Sequence, residues 1–305
     1  MIELTNTNSS EIAAELQRAR VRAGSPAMGM VMTLIIVVDE EDAEDAMRAA
    51  REASHEHPSR VLGVILGDAR GSSEINAQVG TGAGWSGETA LIRLKGEVVK
   101  HCESVVVPLL LPDSPVAVWW PNHPPDDPAN DPLGRLAQRR ITDAASATKG
   151  KQKAMHQQCV AYTDGNTDLA WTRITPWRAL LAAMLDQQPG MKVTSARVTA
   201  ERVSPSADLL AAWLVDRLKI PVERKSSRGP GITDVVLETN QGEARISRPD
   251  GMLAVFSVPD RPDRPVALKR RTLPELLGEE LRRLDEDEIY AETTKRLRKM
   301  EASKK

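Results

Sequence analysis

Four groups of side chains have types and spacings that could support chemistry. His55 and His57 stand two apart in SHEHPSR (54–60). On an extended segment that spacing places both imidazoles on one side, the beginning of a metal site. A zinc ion wants three or four ligands, and neither a cysteine partner nor an H-E-x-x-H helix accompanies the pair. Locally hydrogen-bonded loop histidines are therefore expected, with no metal. Gly80–Gly87 reads GTGAGWSG. A glycine-rich phosphate cradle joins a strand directly to a helix. Here the preceding apolar run ends near Leu66 and the following segment reads as a strand, so a loop is expected and no nucleotide cofactor. Cys102 and Cys159 lack the neighbours that mark a nucleophile. No G-x-S-x-G, P-loop, S-x-x-K or C-x-x-C is present, so no catalytic residue is expected.

The fourth group is tryptophan beside arginine. The chain has six Trp against two Tyr and one Phe. Trp119 and Trp120 close an apolar segment, Arg139 and Arg140 follow, and Trp171, Arg173, Trp177 and Arg178 come next. These residue types are enriched in interface hot spots. The pattern predicts a partner-binding patch of Trp119, Trp120, Arg139, Arg140, Trp171, Arg173 and Arg178. Burial competes with it: strand alternation hides one of Trp119 and Trp120, and Trp177 heads an apolar helical stripe. A second reading gathers His55, His57 and Arg60 with Arg139 and Arg140 at the strand ends of an α/β domain. Arginine forks suit phosphate, which would make a phosphosugar- or nucleotide-binding protein or enzyme. Basic stretches at Lys149–Lys153 and Lys295–Lys305 default to solvated ends, with no nucleic-acid partner expected.

Composition narrows the classes further. The 305 residues suggest about two domains of roughly 150 each. The chain is 41% apolar and 28% charged, with 41 basic and 43 acidic side chains. That is an ordinary globular mix and excludes general disorder or a strongly basic nucleic-acid binder. Two cysteines exclude a disulfide scaffold. The apolar runs at 28–38 and 105–111 fall short of the roughly 20 residues of a membrane span. The opening MIELTNTNSSEIA has no basic start followed by an apolar core. A cytoplasmic protein with no membrane partner is expected.

The elements that must position these residues follow from periodicity. Residues 9–24 read as a helix, Val31–Val38 as a strand buried on both faces, and Asp39 onward as an acidic helix. Val61–Leu66, Thr89–Leu94 and Val116–Trp120 read as strands. Pro121–Asp131 is a proline loop, Pro132–Arg140 a helix, and Asp143–Gln158 a loop or poor helix. Thr175-Pro176 and Ser204-Pro205 write helix starts. After Gln187–Gly190 the rhythm changes to a strand at 193–200, a helix at 205–218, and strands near 220–225, 232–238, 243–248 and 252–258. Two helices close the chain, the second with Asp285 and Glu288 as a capping box. The predicted fold is α/β. An N-terminal layered domain (1–187) has a mostly parallel sheet and a Trp/Arg-rich helical extension. A smaller α+β domain (188–305) has an antiparallel meander and C-terminal helices.

Five segments carry a resemblance: SHEHPSRV (54–61), PLLLPDSPVAVWWP (108–121), DPLGRLAQRRITDA (131–144), YTDGNTDLAWTRITPWRALL (162–181) and LRRLDEDEIY (281–290). In order and spacing they resemble the OpcA family of glucose-6-phosphate dehydrogenase assembly proteins, its actinobacterial branch most. The resemblance implies a non-catalytic protein without cofactor. It would bind glucose-6-phosphate dehydrogenase, an enzyme of the oxidative pentose phosphate pathway, and favour its assembled, active state. Cyanobacterial members are linked to redox control through cysteines, a role to which neither Cys102 nor Cys159 is matched.

Overall fold

The computed structural model describes residues 1–22, 29–81, 87–188 and 190–303. The expectations that touch Gly24, Gly82–Ser86, Pro189 and the last two lysines lie outside these residues. The strands are β1 (Ile2–Leu4), β2 (Met32–Val37), β3 (Ser59–Leu66), β4 (Glu74–Thr81), β5 (Glu88–Lys95), β6 (Val116–Trp119) and β7 (Arg139–Thr142). They continue as β8 (Asn166–Asp168), β9 (Val193–Glu201), β10 (Val222–Ser227), β11 (Ile232–Thr239), β12 (Gly242–Ser247), β13 (Leu253–Ser257) and β14 (Arg264–Ala267). The helices are α1 (Ser9–Arg22), α2 (Ala43–Ala53), α3 (Cys102–Val106), α4 (Lys151–Val160) and α5 (Leu169–Thr172), then α6 (Thr175–Asp186), α7 (Pro205–Leu218), α8 (Leu273–Leu281) and α9 (Glu288–Ala302).

Two compact units emerge, each drawn from three stretches. The first holds Met1–Asp143, Gly165–Thr167 and Leu273–Glu286; the second holds Ala144–Asp164, Asp168–Thr272 and Asp287–Lys305. The expected division after residue 187 cuts the chain once, whereas these units interleave along it and take one closing helix each.

The first unit is built on a sheet of order β1-β4-β5-β3-β2-β6-β7-β8. Neighbours from β5 through β3, β2 and β6 to β7 pair in parallel, while β4 runs antiparallel to β5 and β1 antiparallel to β4. The apolar runs of β2 and β3 are buried on both faces, as parallel strands under helices must be. Helix α2 crosses between them with Ala43, Ala46, Met47, Ala50 and Ala53 buried, a 3.6-residue stripe of small side chains. Ile12 and Leu16 of α1 pack with Ala77, Val79, Ala90, Ile92 and Leu94 over β4 and β5.

The second unit is built on a sheet of order β10-β9-β11-β12-β13-β14. β11 to β14 form the expected antiparallel meander, and β10 instead lies parallel to β9 through the crossover α7. Ser204 caps α7 by accepting from the Ala207 amide, and Pro205 takes the first turn, where no amide is needed. The core joins α7 to Val198, Val235, Leu237 and Ile246. The expected fold class holds: a mostly parallel sheet, then an antiparallel-rich sheet with C-terminal helices.

Some elements differ from expectation. Residues 132–140 form a short 3-10 turn (134–136) and strand β7. Asp131 Oδ1 accepts from the Leu133 and Gly134 amides at 2.9 and 3.0 Å, a local turn that competes with helix. Pairing of Arg139–Ile141 with β6 then settles the strand. Residues 151–160 are helical because Met155 and Cys159, four apart, bury one face. β4 is not among the expected strands; it takes in Gly80 and Thr81 of the glycine-rich segment expected to be a loop. Asp287, not Asp285, caps α9 by accepting from the Tyr290 amide at 2.9 Å.

Candidate functional site

In an open α/β sheet, ligands settle outside the carboxyl ends of the strands where the strand order reverses. Here the chain steps from β2 to β3 to β5 in one direction and returns to place β6 on the other side of β2. The crevice between β2 and β6 is therefore the position such a ligand would take. Asp39, Glu40, Glu41 and Asp42 follow β2 and lead into α2, whose first turn adds Glu44 and Asp45. Asn122, beyond β6, donates Nδ2–H to Asp42 Oδ2 at 2.5 Å, and His123 Nε2 lies 3.5 Å from Asp39 Oδ2. Carboxylates suit the positive end of the helix dipole. The same carboxylates take the place a pyrophosphate would need and repel it. This crevice is ill suited to a nucleotide.

The residues of the second reading are engaged elsewhere. Arg60 donates from Nε to Glu88 Oε2 at 2.8 Å and from Nη1 to the Leu109 carbonyl at 2.6 Å; Arg20 pairs with the same Glu88. Arg139 donates to Glu280 Oε2 at 2.6 Å and to the Asp285 carbonyl at 3.0 Å. Arg140 donates to Asn166 Oδ1 at 2.5 Å and to the Ala137 carbonyl at 2.7 Å. His55 is exposed after α2 and His57 is half-buried. Among the described residues no three His, Cys, Asp or Glu side chains gather as metal ligands.

The Trp/Arg patch is corrected in its main part. Trp119, Trp120 and Trp171 are at most 2% exposed, and Arg139 and Arg140 are buried too. β6 lies inside a sheet covered on both faces, so alternation exposes neither tryptophan. Trp171 Nε1 donates to Asp287 Oδ2 at 2.7 Å, and the Arg178 guanidinium stacks 3.6 Å from its ring centre. Tyr290 packs on the same ring at 5.5 Å. Only Arg173 and Arg178 of the seven keep partial exposure. These residues hold each unit together from within: Arg139 and Arg140 in the first, Trp171 and Arg178 in the second.

The thiols are equally internal. Burial pushes Cys102 up to about 11, with the Glu103 and Asp131 charges adding to it. Burial, and then Asp168, pushes Cys159 higher still. Burial thus favours the protonated thiol at both positions.

What periodicity did not bring forward is a cleft in the first unit. It measures about 980 Å³ and lies beside α2, lined by Met47, Arg48 and Arg51 of that helix and by Gln78, Leu91 and Arg93 of β4 and β5. Arg93 grips Glu40 with two nitrogens, at 2.7 and 2.8 Å. The Arg93 hydrogen bonds hold the Glu40 carboxyl below its ordinary range. The alternation of EINAQVGT (74–81), with Ile75, Ala77 and Val79 on one face, is the signal that marks β4 and hence this cleft.

Residues 50–159 match a family described as the N-terminal domain of the glucose-6-phosphate dehydrogenase subunit, and residues 164–294 match its counterpart, the C-terminal domain of the same subunit. A comparison with curated proteins finds no match. Among solved structures the chain is similar to a D-galactose-1-dehydrogenase protein from Rhizobium etli, at 11% identity and TM-score 0.45, over 89% of this chain and 94% of that one. It is also similar to a structure described as trehalose-6-phosphate from E. coli bound with UDP-2-fluoro glucose, at 12% identity and TM-score 0.26, over 65% of each chain. Likenesses this weak carry no argument. The two domain matches run in order over most of the chain, and on them it belongs to the OpcA family of glucose-6-phosphate dehydrogenase assembly proteins.

Proposed function

We propose that this protein is a non-catalytic cytoplasmic factor that binds glucose-6-phosphate dehydrogenase and biases it toward an active oligomeric state in the oxidative pentose phosphate pathway. The observation that carries the reading is the ordered pair of domain matches over residues 50–294. The chemistry of the chain supports it. The arginines that could have held a phosphorylated substrate are spent on Glu88, Glu280 and Asn166, and the strand-end crevice is acidic.

Such a factor acts only through a difference in affinity. If it bound active and inactive dehydrogenase equally, it would shift nothing. A coupling of about 1–3 kcal/mol would change the dehydrogenase's apparent substrate affinity roughly 5–150-fold. Mixing the purified protein with the dehydrogenase of the same cell is expected to give co-elution on size exclusion and a lowered apparent KM or raised kcat. A dehydrogenase whose elution and kinetics both stay unchanged rejects the proposal.

A further inference from the structure

The cleft beside α2 has a topological origin. Right-handed crossovers that step the same way across a parallel sheet lie on the same face. A helix joining β3 to β5 would therefore lie next to α2. Among the described residues no helix lies there; the chain returns through β4, which joins the sheet beyond β5. Burial records the consequence. From Ser59 to Ile65, β3 is buried throughout. On β5, Ala90, Ile92 and Leu94 are buried beneath α1, whereas Leu91 and Arg93 on the opposite face are half-buried. On β4, Ala77 and Val79 are buried and Asn76 and Gln78 half-buried. A Cβ on Gly63 would lie 2.7 Å from Leu91 and 2.8 Å from Met47, so Leu91 is on the α2 face. The other flank of α2 is taken by α8, with Arg282 bonded to Glu56 at 2.6 Å. One flank of α2 thus has α8 as a neighbour; along the other, among the described residues, runs the groove, with Met1, Ile2, Ala19 and Arg22 on its far side.

The groove has an apolar base and a basic rim. Leu91 and Met47 form the base. Four arginines line it (Arg22, Arg48, Arg51 and Arg93) against two glutamates, Glu40 and Glu44. Two ion pairs of the rim are open to solvent: Arg48 and its Asp45 are 50% and 75% exposed, and Glu40 beside Arg93 is 58% exposed, whereas Arg22 is paired with buried Glu15. Exposed pairs of this kind are weak and exchange readily for an incoming carboxylate. α2 has 11 residues, about 16 Å at 1.5 Å per residue, so two to three turns of a second helix lie alongside it.

We propose that this groove seats an amphipathic helix of the partner dehydrogenase, its apolar face over Leu91 and Met47 and an acidic flank toward Arg48 and Arg51. The inference rests on the assembly reading above and names the surface that docks. It is the helix-in-groove mode of recognition, with the partner filling the position of the crossover this chain lacks. Leu91 supplies buried apolar area, and the arginines supply orientation and association rate.

The test uses both full-length proteins. Arg48→Glu/Arg51→Glu is expected to weaken the complex at least about tenfold and flatten its salt dependence, with the melting temperature little changed. Lys295→Glu/Lys299→Glu on α9 makes the same change in net charge and is expected to leave affinity intact. A photo-crosslinking amino acid at Gln78 is expected to capture a dehydrogenase peptide that is helical and acidic on one side, and it decides the matter even if the double variant fails to fold. A wild-type complex that tolerates the groove variant and gives no crosslink from Gln78 overturns the groove and leaves the assembly reading standing. No complex with wild-type protein overturns that reading and this partner together. A thermal shift with a phosphomonoester that disappears in the double variant, with the protein complex intact, assigns the groove to a small anion and overturns the helix.

Discussion

Strands β3 and β5 are parallel neighbours that each carry one arginine, yet those arginines answer to different rules. On β3, Arg60 is buried and committed: it bonds Glu88 and the Leu109 carbonyl, and it cannot turn outward without giving up both buried hydrogen bonds. On β5, Arg93 is a rim residue whose partner, Glu40, faces water. The side chains are alike. What separates them is whether the face above the strand carries a helix. Composition does not mark which arginine is accessible here; a missing cover does.

The largest effect that tests this contrast is at Glu88. Glu88→Ala leaves buried Arg60 without its counter-charge and is expected to cost about 3–5 kcal/mol in denaturant unfolding. A loss below about 1 kcal/mol, the range of an exposed pair, would mean that the β3 side is no more committed than the β5 side. Next comes the apolar pair on the same two strands. Leu62→Ala, at a fully buried position, is expected to cost about 2–5 kcal/mol. Leu91→Ala on the open face is expected to cost under about 1.5 kcal/mol, because surrounding water already reaches the site. Equal losses would show that the groove floor is core.

The smallest effect is at the rim. Arg93→Ala is expected to cost under about 1 kcal/mol at neutral pH, as exposed pairs do. Its pH dependence has a definite sign. Glu40 is held below its ordinary value of 4.5 by the Arg93 hydrogen bonds. The unfolded carboxyl therefore binds protons at higher pH than the folded one, and the pair's contribution is complete above about pH 4.5 and fades as pH falls through the depressed value. The gap in unfolding free energy between wild type and Arg93→Ala should shrink as the pH falls below about 4.5. A gap that widens on acidification contradicts the pairing.

Much of the fold is legible wherever one local signal suffices. The helix expected at 205–218 has those limits because Ser204-Pro205 can start it and an apolar stripe carries it. β2, β3 and β11 follow from β-branched runs, which favour buried strands under either topology. Where the deciding contact lies far away in sequence, local signals mislead. Pro132–Arg140 has helix-like spacing, but Asp131 turns the chain and β6 offers Arg139–Ile141 a place in the sheet. α4 looks too polar until Met155 and Cys159 find a core to enter. Most of the Trp/Arg group is buried for a related reason: hot-spot enrichment describes residue types, and the same types also make buried anchors such as Trp171 on Asp287.

Residue order alone determined the class of the molecule, its family resemblance and most of its regular elements, because caps, turns and hydrophobic periodicity act over a few residues. Tertiary structure alone decided which arginines are buried in ion pairs and which stay at the surface. Pairing energy and solvent exposure depend on what packs over a strand, and the placement of β4 beyond β5 determines that over separations of dozens of residues.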